Sequence, residues 1–257
     1  MDNRILTLRA PSGVSGDMLV AGLARMLDLD EAGFADALSR IGLPELHGAA
    51  RVIPKSLNHI SGWGLEVSLP HAHEHRRLRD IRAIVTGSGL AGKAKELAVA
   101  AFELLARAEG AIHGCDPEEV VFHETGALDS VMDMCLACEF FAMLSPDVFI
   151  CGPLPVCDGE IRCRHGLLAA PAPATLFLLQ GAPIYGIPSA GETVTPTAIA
   201  LLRAFGAAFG PWPAMILSRE ARIYGTRKLP GVPNGAIFAV GSPHSMHFDH
   251  CDENRRE

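Results

Sequence analysis

The sequence predicts an α/β protein, with mixed sheets and flanking helices. Short apolar and β-branched runs alternate with stretches of helical period, and Gly/Ser/Pro loops mark the changes. The 257 residues are 49% hydrophobic and 20% charged, a globular balance with chain enough for a substantial core. No run of about 18 apolar residues occurs, so no membrane span is expected. A net charge of -7 argues against nonspecific nucleic-acid binding. Met1-Asp2-Asn3-Arg4 lacks a signal-peptide layout, and seven cysteines without a paired framework fit a reducing, cytoplasmic setting. No internal repeat is evident.

Taken in order, Ile5 to Leu8 reads as a strand, and Met18 to Leu27 and Glu31 to Ile41 as helices, the second ended by Gly42 and Pro44. Ala49 to Ser56 and Gly64 to Leu69 read as strands joined by a loop holding Asn58, His59 and Gly62. Leu78 to Val85 and Lys93 to Ile112 have a helical period, closed by His113-Gly114. A short strand ends at His123-Glu124, and an apolar helix then runs to about Met143. Val148 to Cys151 and Glu160 to Cys163 are strands, with Pro153 and Pro155 in loops and a turn at His165-Gly166. Helices open at Pro171–Thr175 and at Ala198, and Ile216 to Ile223 and Ala236 to Val240 close the chain as strands. One domain is expected over residues 1–243, followed by a flexible tail, 244–257, with His244, His247, His250 and Cys251.

Four stretches carry chemistry. His71-Ala72-His73-Glu74-His75 puts three imidazoles on one side of an extended chain, or His71 and His75 on one helix face. Imidazole suits nickel, zinc, copper and iron; the alternative is a solvated polar loop. Gly13, Ser15, Gly16 and Asp17 form a Gly/Ser phosphate-type loop between a strand and a helix start, without P-loop or dinucleotide spacing. There Asp17 either caps the helix or holds a metal beside a phosphate. Thr195 and Thr197 sit at another helix start, where capping and phosphate binding are both open. The densest polar cluster in an apolar setting is His123, Glu124, Asp129 and Asp133. Its two aspartates stand at i,i+4, where like charges repel unless a cation, a basic partner or hydrogen-bond donors relieve them. Cys135 and Cys138 read as small buried hydrophobes, whereas Cys151, Cys157 and Cys163 would suit a soft metal as thiolates.

These pieces, in this order, resemble the LarC family, the nickel insertion proteins of nickel-pincer nucleotide cofactor synthesis. The motifs are Ser12-Gly13-Val14-Ser15-Gly16-Asp17-Met18, the His71–His75 run leading to Leu78-Arg79-Asp80-Ile81, and Phe122-His123-Glu124-Thr125-Gly126-Ala127-Leu128-Asp129-Ser130. His165-Gly166-Leu167, Pro171-Ala172-Pro173-Ala174-Thr175 and Glu192-Thr193-Val194-Thr195-Pro196-Thr197 follow, so the resemblance covers Ile5 to about Val240. It implies insertion of Ni2+ into pyridinium-3,5-bisthiocarboxylic acid mononucleotide, a lyase-class cyclometallase step. In the family that step depends on CTP with Mg2+ or Mn2+, and its product serves lactate racemase-type enzymes.

The resemblance also implies a C-terminal ferredoxin-like domain that binds CTP. This sequence stops before it, so the CTP site is expected on a separate domain or subunit, and a homo-oligomer is a further expectation. Two local departures concern geometry. Arg9-Ala10-Pro11 replaces an acidic strand end, and Ala198-Ile199 stands where the family has glycine then alanine. Residue chemistry then assigns His71, His73 and His75 to nickel capture, with His123, Glu124 and Asp129 as further metal ligands. His123, Glu124, Asp129 and Asp133 form the inner catalytic site, where one carboxylate takes the C–H proton released on metallation. Gly13, Ser15, Gly16, Asp17, Thr195 and Thr197 hold the substrate phosphate. A non-catalytic nickel storage or delivery module and a metal-dependent phosphoester hydrolase are the alternatives.

Overall fold

The computed structural model describes residues 3–69, 76–122, 125–163, 166–188 and 191–244. In chain order these form β1 (Ile5–Arg9), α1 (Gly16–Met26), α2 (Glu31–Ser39), β2 (Ala50–Leu57), β3 (Ile60–Val67), β4 (Arg76–Arg77), α3 (Leu78–Gly87) and α4 (Gly92–His113). There follow β5 (Val121–Phe122), α5 (Leu128–Leu144), β6 (Val148–Cys151), β7 (Leu154–Cys157), β8 (Glu160–Cys163), β9 (Gly166–Ala169), α6 (Pro173–Leu178) and β10 (Ile184–Ile187). The chain continues through α7 (Pro196–Ala204), β11 (Ala208–Phe209), β12 (Met215–Ile223) and β13 (Ala236–Pro243). Among the described residues, no helix is long and apolar enough to cross a membrane.

The main sheet has seven strands in the order β11-β6-β1-β13-β12-β3-β2. It is mixed, as predicted: β1 is parallel to β6 and antiparallel to β13, and β12 is antiparallel to β13 but parallel to β3. The carboxyl ends of β1, β3 and β12 therefore open onto the same end of the sheet, where irregular chain and polar groups can gather.

Helices cover one face. α1 lies on β3, β12 and β13, and α5 packs between α1 and α4. Close approach of α1 depends on Gly22, because a side chain there would run into the Phe238 ring. α5 is buried almost all round, so it is the interior helix of the layer, and its Cys135 and Cys138 are both buried. Burial pushes the Cys135 thiol up to about 12 and Cys138 well above its usual range, so both are inert hydrophobes, as expected.

Three local readings differ. Asn58 and His59, both at positive φ, make a two-residue hairpin turn, so Gly62 lies in β3 rather than in the loop. Pro155 lies in β7, which pairs in parallel with β10 in a small separate sheet; proline is tolerated in such two-stranded edges. Gly166 begins β9, which pairs with β8. Arg9 ends β1 but serves the fold: its guanidinium donates to Gly210 O at 2.6 Å and Pro211 O at 2.6 Å, and lies 5.0 Å from the Trp212 ring centre.

One ion pair binds three helical elements. Glu139 of α5 is fully buried, accepts from the Ala91 N–H at 2.9 Å and pairs with Arg40 at 3.1 Å. Arg40 closes α2, and Ala91 precedes α4. Arg40→Ala would leave a buried carboxylate with one donor. Since the arginine side chain is 43% exposed, the cost stays below that of breaking a wholly buried pair. Chemical denaturation should show a loss of about 2 kcal/mol, in the range of a hydrogen bond to a charged group.

Candidate functional site

The site begins with a glycine. After β1 the chain turns back at Gly13, whose φ is +105°, and a Cβ at this position would fall on the Thr193 carbonyl. That closeness lets Val14 form a parallel bridge with Val194. Val14 N–H donates to Thr193 O at 2.9 Å, and Thr195 N–H donates to Val14 O at 3.2 Å. The bridge sets the N-termini of α1 and α7 side by side, so the Gly/Ser loop and the threonine helix start are one structure.

The two helix starts differ. Ser15 is the N-cap of α1, yet its hydroxyl turns to the Asp17 carboxylate and makes no capping bond to the helix amides. Asp17 therefore does not cap; it stands inside the first turn, where the dipole favours its charge. At α7, Thr195 does cap, accepting from Ala198 N–H at 3.2 Å, and its hydroxyl lies 2.9 Å from that of Thr197.

Between the loops lies a cavity of about 160 Å³, lined by Gly13, Ser15, Asp17 and Thr195. Gly16 and Thr197 do not line it: Gly16 faces α5, and Thr197 reaches the cavity only through Thr195. The sequence reading missed a third wall, Gly225, Thr226, Arg227, Leu229, Asn234 and Gly235. It follows β12 directly, at the carboxyl end of a sheet strand, where Gly225-Thr226-Arg227 was the available signal. Gly235 N–H donates to Ser12 Oγ at 3.2 Å and ties this wall to the first loop.

Behind α1 stands Asp133. It is half-buried as a residue, but its Oδ1 is enclosed and, among the described residues, without a hydrogen-bond partner. A Cβ on Gly16 would come within 3.0 Å of Oδ2, so the absent side chain at 16 is what admits the carboxylate. Burial pushes the Asp133 carboxyl well above the usual carboxylate range, and Asp17 and then Asp129 add to the shift. Asp129 is exposed in the first turn of α5, where it accepts from Ser130 N–H at 2.8 Å.

His71, His73, His75, His123 and Glu124 lie outside the described residues, as do His165, His247, His250 and Cys251. Their flanks do meet. β4 pairs with β5, setting Arg76 opposite Phe122, and Arg76 Nη1 donates to Gly126 O at 2.7 Å. His113 ends α4 3.3 Å from Glu109, in a helix-end role. Cys151 and Cys157 are both buried, and burial drives Cys151 up to about 12 and Cys157 above its usual value. Without a metal, both are therefore held as neutral thiols. Among the described residues, no group of three His, Cys, Asp or Glu side chains stands close enough to hold a metal ion.

The fold and cavity define an α/β protein with a small polar pocket at the strand ends, near an enclosed carboxyl group. Residues 6–253 match the family described as nickel insertion protein, and the chain belongs to that family. It is 35% identical over 238 residues to a putative nickel insertion protein of Geotalea daltonii, covering 93% of this chain and 61% of the relative. It is 37% identical over 230 residues to a pyridinium-3,5-bisthiocarboxylic acid mononucleotide nickel insertion protein of Desulfitobacterium hafniense, covering 90% and 56%. A protein of the same description from Nocardioides sp. is 34% identical over 239 residues, covering 91% and 59%. The chain thus spans somewhat under two thirds of the length of these relatives. No solved structure matches.

Two outcomes test the geometry. Gly13→Ala combines positive-φ strain with collision on Thr193, so urea denaturation should show a loss of about 2 kcal/mol or more. Asp133 has a raised folded-state pKa, so its contribution favours the fold below the ordinary carboxylate range and is lost as pH rises through the raised folded-state pKa. Asp133→Asn should therefore exceed wild type in stability at about pH 8, by about 1 kcal/mol or more, the worth of one pKa unit. The two proteins should converge near pH 4; a wild-type advantage that grows with pH would contradict the burial of this carboxyl.

Proposed function

We propose that this chain loads nickel into pyridinium-3,5-bisthiocarboxylic acid mononucleotide, forming metal–carbon and metal–sulfur bonds. The observation that carries this reading is the convergence of the phosphate-type loop and the Thr195 helix start on one small cavity, with the enclosed Asp133 carboxyl on the α5 side of Gly16. The descriptions of the relatives supply the nickel and the mononucleotide; the cavity supplies a place for its phosphate. The domain over residues 1–243 does the loading, and the 244–257 segment is a secondary His-containing tract.

Nickel is the cargo. His71, His73 and His75 capture it, and His123, Glu124 and Asp129 receive it. The pairing of Arg76 with Phe122 supports a hand-over, because it joins the chain just after the first histidine segment to the chain just before the second. Gly13, Ser15, Asp17 and Thr195 hold the phosphate end, with Gly16 and Thr197 in support. Metallation replaces a ring C–H by a metal–carbon bond and releases one proton. Asp133 takes it: a desolvated carboxylate is a stronger base than a solvated one. CTP with Mg2+ or Mn2+ acts on a domain or subunit beyond the residues described here, and the working unit includes that partner.

Reconstitution tests the assignment: the chain, Ni2+, the precursor and CTP, with and without the C-terminal portion of a relative, read by metal analysis and mass spectrometry of the nucleotide. Nickel should enter the nucleotide only when the partner is present. Replacing His71, His73 and His75 together should lower nickel occupancy by tenfold or so, since outer metal contacts alone carry about 10–100-fold. Unchanged nickel loading and turnover would remove the histidine run from the mechanism, and nickel binding with no change to the precursor would mark a delivery module instead.

A further inference from the structure

We infer that Arg227 is the phosphate anchor of the cavity, and that the segment from Gly225 to Gly235 makes the site distinguish a phosphate monoester from the corresponding nucleoside. This rests on the mononucleotide reading above and adds the residue that reads the phosphate. The cavity lining contains two carboxylates, Asp17 and Glu192, and among the described residues its one cationic side chain is Arg227. Backbone amides and helix dipoles contribute partial charge, but two carboxylates beside a phosphate need a full positive charge to offset them. A guanidinium also offers five N–H donors in a plane that matches a phosphate edge.

The arginine is placed rather than merely near. Its Nη1 donates to the Glu192 carbonyl at 3.1 Å, on the loop that enters α7. Gly191 packs directly beneath it at φ +89°, and a Cβ there would fall on the guanidinium. The segment that carries it is fixed at its far end by Asn234. Its Oδ1 accepts from Leu229 N–H at 2.8 Å, and its Nδ2 donates to Leu229 O at 2.6 Å and Val232 O at 3.0 Å. Leu229 itself is buried, and Gly235 is bonded to Ser12. The third wall is thus tied to both other walls.

Calorimetric titration of the full chain with nicotinic acid mononucleotide and with its nucleoside tests this. Wild type should prefer the mononucleotide by about tenfold or more. Arg227→Met, which keeps the apolar stem, should lose about 10- to 100-fold in mononucleotide affinity, the range for a charge-assisted hydrogen bond, with nucleoside affinity unmoved. Arg227→Lys should fall between, since it keeps the charge but loses the fork. Inorganic phosphate should compete with the mononucleotide on wild type, a readout that needs no variant. An unchanged mononucleotide-to-nucleoside ratio in Arg227→Met, no preference in wild type, or no competition by phosphate each overturns the assignment. The outcome is separable from the function: if the ratio collapses while reconstitution transfers no nickel, the anchor stands and the nickel-loading reading falls. If nickel is transferred and the ratio does not move, the reverse holds.

Discussion

The bridge between Val14 and Val194 is the contact on which the site depends, and it exists because position 13 carries no side chain. The two loops it joins lie about 180 residues apart and end different elements, one before α1 and one before α7. Bringing two helix N-termini together is electrostatically unfavourable, since each presents partial positive charge. The site offsets this locally: Asp17 stands in the first turn of α1, and the Thr195 hydroxyl takes one amide of α7. What remains is a small pocket of about 160 Å³ between the two loops.

Strand direction does the rest of the positioning. Because β1, β3 and β12 run the same way, the Gly/Ser loop, the chain leading to residue 70 and the Arg227 segment all leave the sheet at one end. A one-residue change of register would turn every side chain over, but the hydrophobic rows resist this. Leu8 lies opposite Phe238 and Leu6 opposite Val240, with all four buried, and the Phe238 ring fills the space left by Gly22. Packing on the helix side of the sheet therefore fixes where the loops on its end must be.

The sequence made much of this legible. Apolar period and turn residues give β1, α1, α4 and α5 closely, and Gly13, Asp17 and Thr195 are visible as loop and helix-start chemistry. Two kinds of feature were hidden. Short strands such as β7, β9 and β10 have no periodicity of their own and exist only through partners distant in the chain, which is why Pro155 read as loop. Arg227 was hidden for a different reason: an exposed arginine after a strand looks like any solvated residue until the fold sets it over Glu192. Thr197 shows the same limit: local pattern sets it beside Thr195, and only the fold shows the two hydroxyls in contact, with Thr195 alone lining the cavity.

Two carboxylates on α5 separate structure from chemistry. Glu139 and Asp133 are six residues apart on one buried helix, and each brings a carboxyl group out of water. Glu139 is met on both sides, by the Arg40 guanidinium and the Ala91 amide, so its desolvation is offset by bonds that also lock three helices together. Asp133 Oδ1 meets no such partner among the described residues; its neighbours Asp17 and Asp129 are of like charge, and the space at Gly16 that admits it supplies no side-chain donor. A fold seeking stability alone would place an apolar residue there, as it does at Met132, Met134 and Leu136 on the same helix. The retained cost lies beside the pocket, where a group that must take up a proton or face a cation gains from being held out of water.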